Sequence, residues 1–272
     1  MQIDANPRLR GKRRLMLAGA GAAFVAGAFL IAHSLAVRHV TATTLHVAAF
    51  TLHTKTVTYQ NTAEGQLLAE TTVARLSDGT TVHYGAAGFP EISQGVTART
   101  IDYPDGTRAI ISDFAQVKTI VPGSPELASA IASRLMNPPA NCVFPGYTLL
   151  GYGTILGQKV AKVRWPSLKG LKDETIQWLA PALGCVAMQT ENLVPQPGGK
   201  LKVLSKMETV SLSVGPPDPH LFDPEPNYNV VKPSEAMRKV FEKAGWAWDS
   251  DAQAHAARAD QRYSKAVQMA GR

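Results

Sequence analysis

Cysteine is scarce in this 272-residue chain. There are two, Cys142 and Cys185, and neither sits in a CxxC or any other metal-ligand spacing. Dithiol redox motifs and thiolate zinc sites are thereby excluded. The seven histidines form no HExxH pair, which removes the common helical zinc-protease signature. A Walker A loop and a G-x-S-x-G elbow are also absent, so neither a P-loop nor an α/β-hydrolase nucleophile turn is encoded. No fixed-period repeat marks a solenoid or propeller. No metal, cofactor or nucleic-acid ligand is expected. Charged residues are missing altogether from residues 15–37.

That last absence reorders the charge. The chain carries a formal +7, which would ordinarily raise nucleic-acid binding. Arg8, Arg10, Lys12, Arg13 and Arg14 face Asp4 alone, so residues 1–14 hold +4 of it and the remainder only +3. Residues 15–37 read LMLAGAGAAFVAGAFLIAHSLAV. Such a run is long enough to cross a bilayer as a helix, about 20 residues sufficing. The basic flank predicts a cytoplasmic stub at 1–14, a single-pass inner-membrane anchor at 15–37 and a periplasmic bulk. The alternatives are a signal peptide cleaved near Ala36, which would free the protein into the periplasm, and a buried core helix.

In an oxidising compartment Cys142 and Cys185 are expected to bond, closing a separation of 43 residues. Two buried reduced thiols are the alternative.

What the chain does have is β pattern. Residues 41–59 mix Thr, Val, Leu and Phe without a helical period. Asp78-Gly79 and Asp105-Gly106 each sit between β-type runs and predict type I′ hairpins. Residues 147–165 predict a third hairpin turning at Gly157-Gln158. Residues 175–179 and 185–191 predict a fourth, turned through Pro181 and Gly184. Residues 201–214 add one or two strands. Helices are few. Ser124 can cap a helix that begins at Pro125 and ends before Pro138. Leu127, Ile131 and Leu135 then share a face. A second helix is predicted from Ser234 to Gly245, with Met237, Val240, Phe241 and Ala244 as its stripe. The expected class is α+β: a curved antiparallel half-barrel-like sheet over 40–245, a few covering helices, and the anchor. Residues 246–272 form a polar tail, helical or disordered.

Chemistry is sparse. Ser112, Asp113 and His83 are the one hydrolase triad that can be named, and no spacing specifies it. Asp218, Asp223 and Glu225 lie near His220, but prolines 216, 217, 219, 224 and 226 favour an extended connection over a cation site. Lys159, Lys162, Arg164, Lys169 and Lys172 form a basic stretch, read as a solvated face or an anionic-headgroup contact. Trp165 and Trp178 are read as sheet packing.

One region is more particular. The run TIQWLAPALGCVAMQTENL is followed by LSVGPPDPHLFDPEPNY. Its marked residues are Trp178, Pro181, Gly184, Gly215, Pro217, Asp218, Pro219, Leu221, Phe222, Pro226 and Tyr228. This pattern resembles the end of periplasmic proteins of the lipoprotein-carrier type. That group includes outer-membrane lipoprotein carriers, the carrier-like domains of sigma-factor regulatory proteins and many uncharacterised exported proteins, the last being most similar. The resemblance implies a curved sheet around a hydrophobic cavity, with Leu221 and Phe222 tucking the proline-rich segment onto it. The expected function is non-enzymatic binding of a lipid, acyl chain or other hydrophobic ligand at the membrane. The alternatives are a protein-interaction or sensory domain with an envelope protein partner, and an exported hydrolase.

Overall fold

A computed structural model describes residues 47–59, 64–86, 97–165, 173–196 and 199–271. The expected stub, anchor and cleavage point near Ala36 lie outside them, as do Lys169 and Lys172. Among the described residues no helix is long and apolar enough to cross a membrane.

The first six strands are β1 (Phe50–Thr58), β2 (Gln66–Arg75), β3 (Thr81–Ala86), β4 (Thr97–Asp102), β5 (Arg108–Ser112) and β6 (Val117–Val121). They form an antiparallel meander. Helix α1 (Pro125–Met136) then leads to a second meander of β7 (Thr148–Ile155), β8 (Gln158–Arg164), β9 (Glu174–Ala180), β10 (Val186–Pro195) and β11 (Leu201–Val214). β11 pairs with β1 and joins the two meanders into one twelve-stranded curved sheet. β12 (Asn229–Val230) adds a short parallel edge beside β6. Helices α2 (Pro233–Ala244) and α3 (Ser250–Ala270) complete the α+β architecture.

The helix signals act as physics requires. The Ser124 hydroxyl accepts from the Leu127 N–H at 3.2 Å, with Pro125 in the first turn. α2 starts one residue before the expected Ser234, at Pro233, and its own cap residue Lys232 has no capping side chain. Asp260 of α3 caps it instead, accepting from the Ser234 N–H at 2.9 Å and its hydroxyl at 2.6 Å. Within the expected tail, residues 246–271 are thus largely a docked helix. Asp249 caps it, and Ala252 and Ala256 are buried. Phe241 meets Trp246 and Trp248 edge-on at 5.3 and 5.2 Å.

The turns correct two expectations. Asp78 and Asp105 do not take positive φ, so neither Asp-Gly turn is type I′. Both are three-residue loops, closed by Leu76 N–H to Thr80 O and Tyr103 N–H to Thr107 O, each at 2.9 Å. Gly79 and Gly106 supply the left-handed residue. Each Asp accepts the N–H two residues on at 2.8 Å, which locks a type I bend. The third hairpin turns at Leu156-Gly157 rather than Gly157-Gln158, with φ of 47° and 76°.

That turn leads to a prediction. Both central residues of a two-residue I′ loop need positive φ, and leucine there is strained by about 1–2 kcal/mol. Leu156→Asn should raise unfolding stability by about 1 kcal/mol, the lower end of that strain. A rise in urea midpoint at constant slope would report it, and an unmoved midpoint would refute the strain.

Candidate functional site

The register builds one apolar row across the first meander. Ala74 pairs with Val82, Val82 with Ile101, Ile101 with Ala109, and Ala109 with Ile120. Paired residues share a face, so this row is continuous. The first four are fully buried. The row beside it reads Tyr84, Arg99, Ile111, Lys118. Two cations therefore stand on the same face as the apolar row, and both are buried.

They are buried because a strap crosses them. Residues 218–228 lie over this face, with Leu221, Phe222 and Tyr228 packed on the apolar row. Arg99 donates to the carbonyls of His220 at 3.4 Å and Asp223 at 3.1 Å. It also pairs with Asp113 at 3.0 Å and Glu225 at 2.5 Å. Lys118 Nζ donates to the carbonyls of Pro224 at 3.1 Å and Glu225 at 2.8 Å. The prolines explain why side chains do this work. Pro219, Pro224 and Pro226 have no N–H, leaving a segment rich in acceptors and poor in donors. Glu225 adopts φ 49°, and from there both its carbonyl and its carboxylate meet the two cations. Burial pulls the Arg99 guanidinium down, but its bonds to Asp113 and Glu225 outweigh that and leave it raised. Tyr228 is raised by burial first, then by the nearby carboxylates.

A second clamp holds the β9–β10 turn. Arg75, also buried, lies 4.6 Å over the Phe50 ring and donates to the Leu183 carbonyl. Pro181 opens a 3-10 turn there, and Gly184 closes it at φ 66°. A Cβ on Gly184 would stand 3.2 Å from the Arg75 guanidinium, so the position has both a conformational and a spatial reason for glycine. Trp178 lies on β9 with Lys162 at 4.8 Å over its ring. Beside this turn Cys142 and Cys185 are disulfide-bonded, packed with Ala161, Val163 and Leu179.

The marked residues thus divide between two places. Asp218, Pro219, Leu221, Phe222 and Tyr228 belong to the strap. Trp178, Pro181 and Gly184 belong to the other arm. The acidic cluster is spent internally: Asp218 accepts from His220 N–H, Asp223 from Glu225 N–H, and Glu225 from Arg99. Ser112, Asp113 and His83 do not converge. His83 faces Thr100, which faces Ile110, so it lies two strands and two register steps from Ser112. That is about 12 Å on sheet spacings. The Ser112 hydroxyl accepts from Ala115 N–H, and Asp113 is held by Arg99. Among the described residues no group of three or more His, Cys, Asp and Glu could hold a metal. Arg164 pairs with Glu174, while Lys159 is exposed. Trp165 donates its indole N–H to Gln177.

Arg75, Arg99 and Lys118 were not singled out by the sequence. Their signal is phase: Arg99 falls two residues from Ile101, Lys118 two from Ile120, and Arg75 two from Val73, each on the same strand face.

No protein-family model matches the chain, and no curated protein does. Solved structures do. MucB in complex with MucA(peri) is 14% identical, with TM-score 0.39, covering 68% of this chain and 57% of that one. An uncharacterised conserved protein from Thermus thermophilus is 11% identical, with TM-score 0.39, covering 67% and 89%. A putative outer membrane lipoprotein-sorting protein domain from Vibrio parahaemolyticus is 10% identical, with TM-score 0.28, covering 64% and 88%. The chain spans just over half the length of the MucB structure. Similarity at this level assigns no family and carries no function.

Proposed function

We propose that the chain is a non-enzymatic binding domain of the cell envelope, held at the inner membrane by residues 15–37, that takes a hydrophobic or acylated ligand against its sheet. One observation carries the reading. The apolar row of the first meander is covered by a short strap, and among the described residues 218–228 is fastened to that face through side chains, chiefly Arg99 and Lys118, with Tyr228 bonded to Asp113. The backbone bonds within the strap are local, such as Leu221 N–H to Asp218 O and Tyr228 N–H to Glu225 O. Leu221 and Phe222 are half-buried and occupy the space an acyl chain would use. Exchange is driven by roughly 0.8 kcal/mol per buried CH₂.

Delipidated full-length protein in detergent should take up a fluorescent fatty acid saturably at micromolar concentration. Leu221→Ala with Phe222→Ala vacates the apolar space and should tighten uptake several-fold. Absence of uptake by both proteins would dispose of the acyl reading.

A further inference from the structure

The twelve-stranded sheet ends differently on its two sides. One edge is β12, two residues long, with Pro233 close behind it. Short, proline-stopped edges resist further pairing. The other edge is β7, eight residues reading TLLGYGTI, without a charge or a proline. Leu149, Leu150 and Tyr152 are exposed there at 37%, 39% and 70%, and Leu156 follows at 49%. Among the described residues no strand lies outside β7, and beyond the register shift at Leu149–Gly151 its uncharged apolar edge is a template for another strand.

Its outward groups follow from the hairpin. Leu156 and Gly157 make a two-residue turn, so Ile155 and Gln158 form the closing bonded pair. Alternation then bonds Gly153 to Val160 and turns the N–H and C=O of Tyr152 and Thr154 away from β8. Two features of β7 and its turn have no internal reason. Gly153 is not at positive φ, and a Cβ there would meet only Val160 at an ordinary 3.7 Å. A glycine weakens a strand interior, and it suits a place where another backbone approaches closely. Leu156 is exposed in a left-handed conformation that asparagine or glycine would take without strain.

The flanking charge selects the occupant. On β8, Lys162 lies over Trp178 and Arg164 pairs with Glu174. Lys159, opposite Thr154, is exposed and makes no ion pair among the described residues. Lys159 stands one strand in from the edge, on the face shared by Tyr152 and Thr154, where it favours an incoming carboxylate. We propose that β7 is a strand-addition site that takes an extended acidic segment of a partner protein. The segment hydrogen-bonds the outward groups of Tyr152 and Thr154, sets apolar side chains against Leu150 and Tyr152, and brings a carboxylate to Lys159. This surface is separate from the strap and does not depend on the acyl reading.

The probe is a labelled ten-residue strand peptide with valines and one glutamate together on one face and threonines on the other, titrated onto the full chain in detergent. Saturable binding is expected, at least tenfold weaker for the same peptide with lysine replacing glutamate. Lys159→Glu should reverse that preference. Tyr152→Pro removes an outward N–H without touching the bonds to β8, and should abolish binding while leaving the urea midpoint within error. Amide exchange gives the decisive readout: protection at Tyr152 and Thr154 only when peptide is present. Absent binding, binding indifferent to Tyr152→Pro, or protection elsewhere would overturn the proposal. So would a concentration-dependent dimer lost with the same variants, which would make a second copy the occupant.

Discussion

Replacing Arg99 with methionine should destabilise the folded domain by about 3 kcal/mol and release the strap from the sheet. Arg99 is the hub of four interactions: two carboxylates and two carbonyls. Its own side chain is 7% exposed, while Asp113 and Glu225 keep 26% and 32%. Removing one member of a fully buried pair typically costs about 3–5 kcal/mol, and the partial hydration of the two carboxylates places this case at the low end. The readouts are a urea midpoint and the proteolytic susceptibility of 218–228. Adding Glu225→Gln to Arg99→Met should give back part of the loss, because one stranded charge is then gone. A loss below about 1 kcal/mol would show that Leu221, Phe222, Tyr228 and the Lys118 bonds hold the strap without Arg99.

Removing the disulfide should have the larger effect. Cys142 and Cys185 are separated by 43 residues, which on chain entropy contributes about 4 kcal/mol. The bond ties the segment after α1 to the clamped β9–β10 turn, across a buried cluster with Ala161, Val163 and Leu179. Cys142→Ser with Cys185→Ser should lower the urea midpoint accordingly, and wild-type protein unfolded in reductant should match it. Equal midpoints with and without reductant would mean that packing, not the crosslink, holds the two segments together. Strap proteolysis should be unchanged, because that clamp belongs to the other arm.

The hairpins were legible because Gly and Asp punctuate them and strand residues alternate between. α1 was legible from Ser124 and Pro125. The Asp-Gly turns were located correctly but mistyped, since the aspartate side chain bonds forward and favours a type I bend. The union of the two meanders was not legible, because nothing local to 50–58 names 201–214 as its partner. The strap's content was visible, including Leu221 and Phe222, but its fastening was not. Arg99 and Glu225 are 126 residues apart, and an arginine between Ala98 and Thr100 reads as surface until its phase with Ile101 is noticed. The acidic residues near His220 looked like a free cluster for the same reason, their cations lying on distant strands.

The position of β1 bears on how the molecule assembles. Phe50 pairs with Val214, so the central seam joins segments far apart along the chain, β1 being made well before β11. Each meander consists of neighbouring hairpins and can close quickly, but the seam must wait for β11. Until then β1 presents an unpaired flank in the middle of the future sheet, the kind of species that aggregates or recruits a chaperone. The slow step of folding is therefore expected to be the meeting of two preformed half-sheets, timed by the arrival of β11.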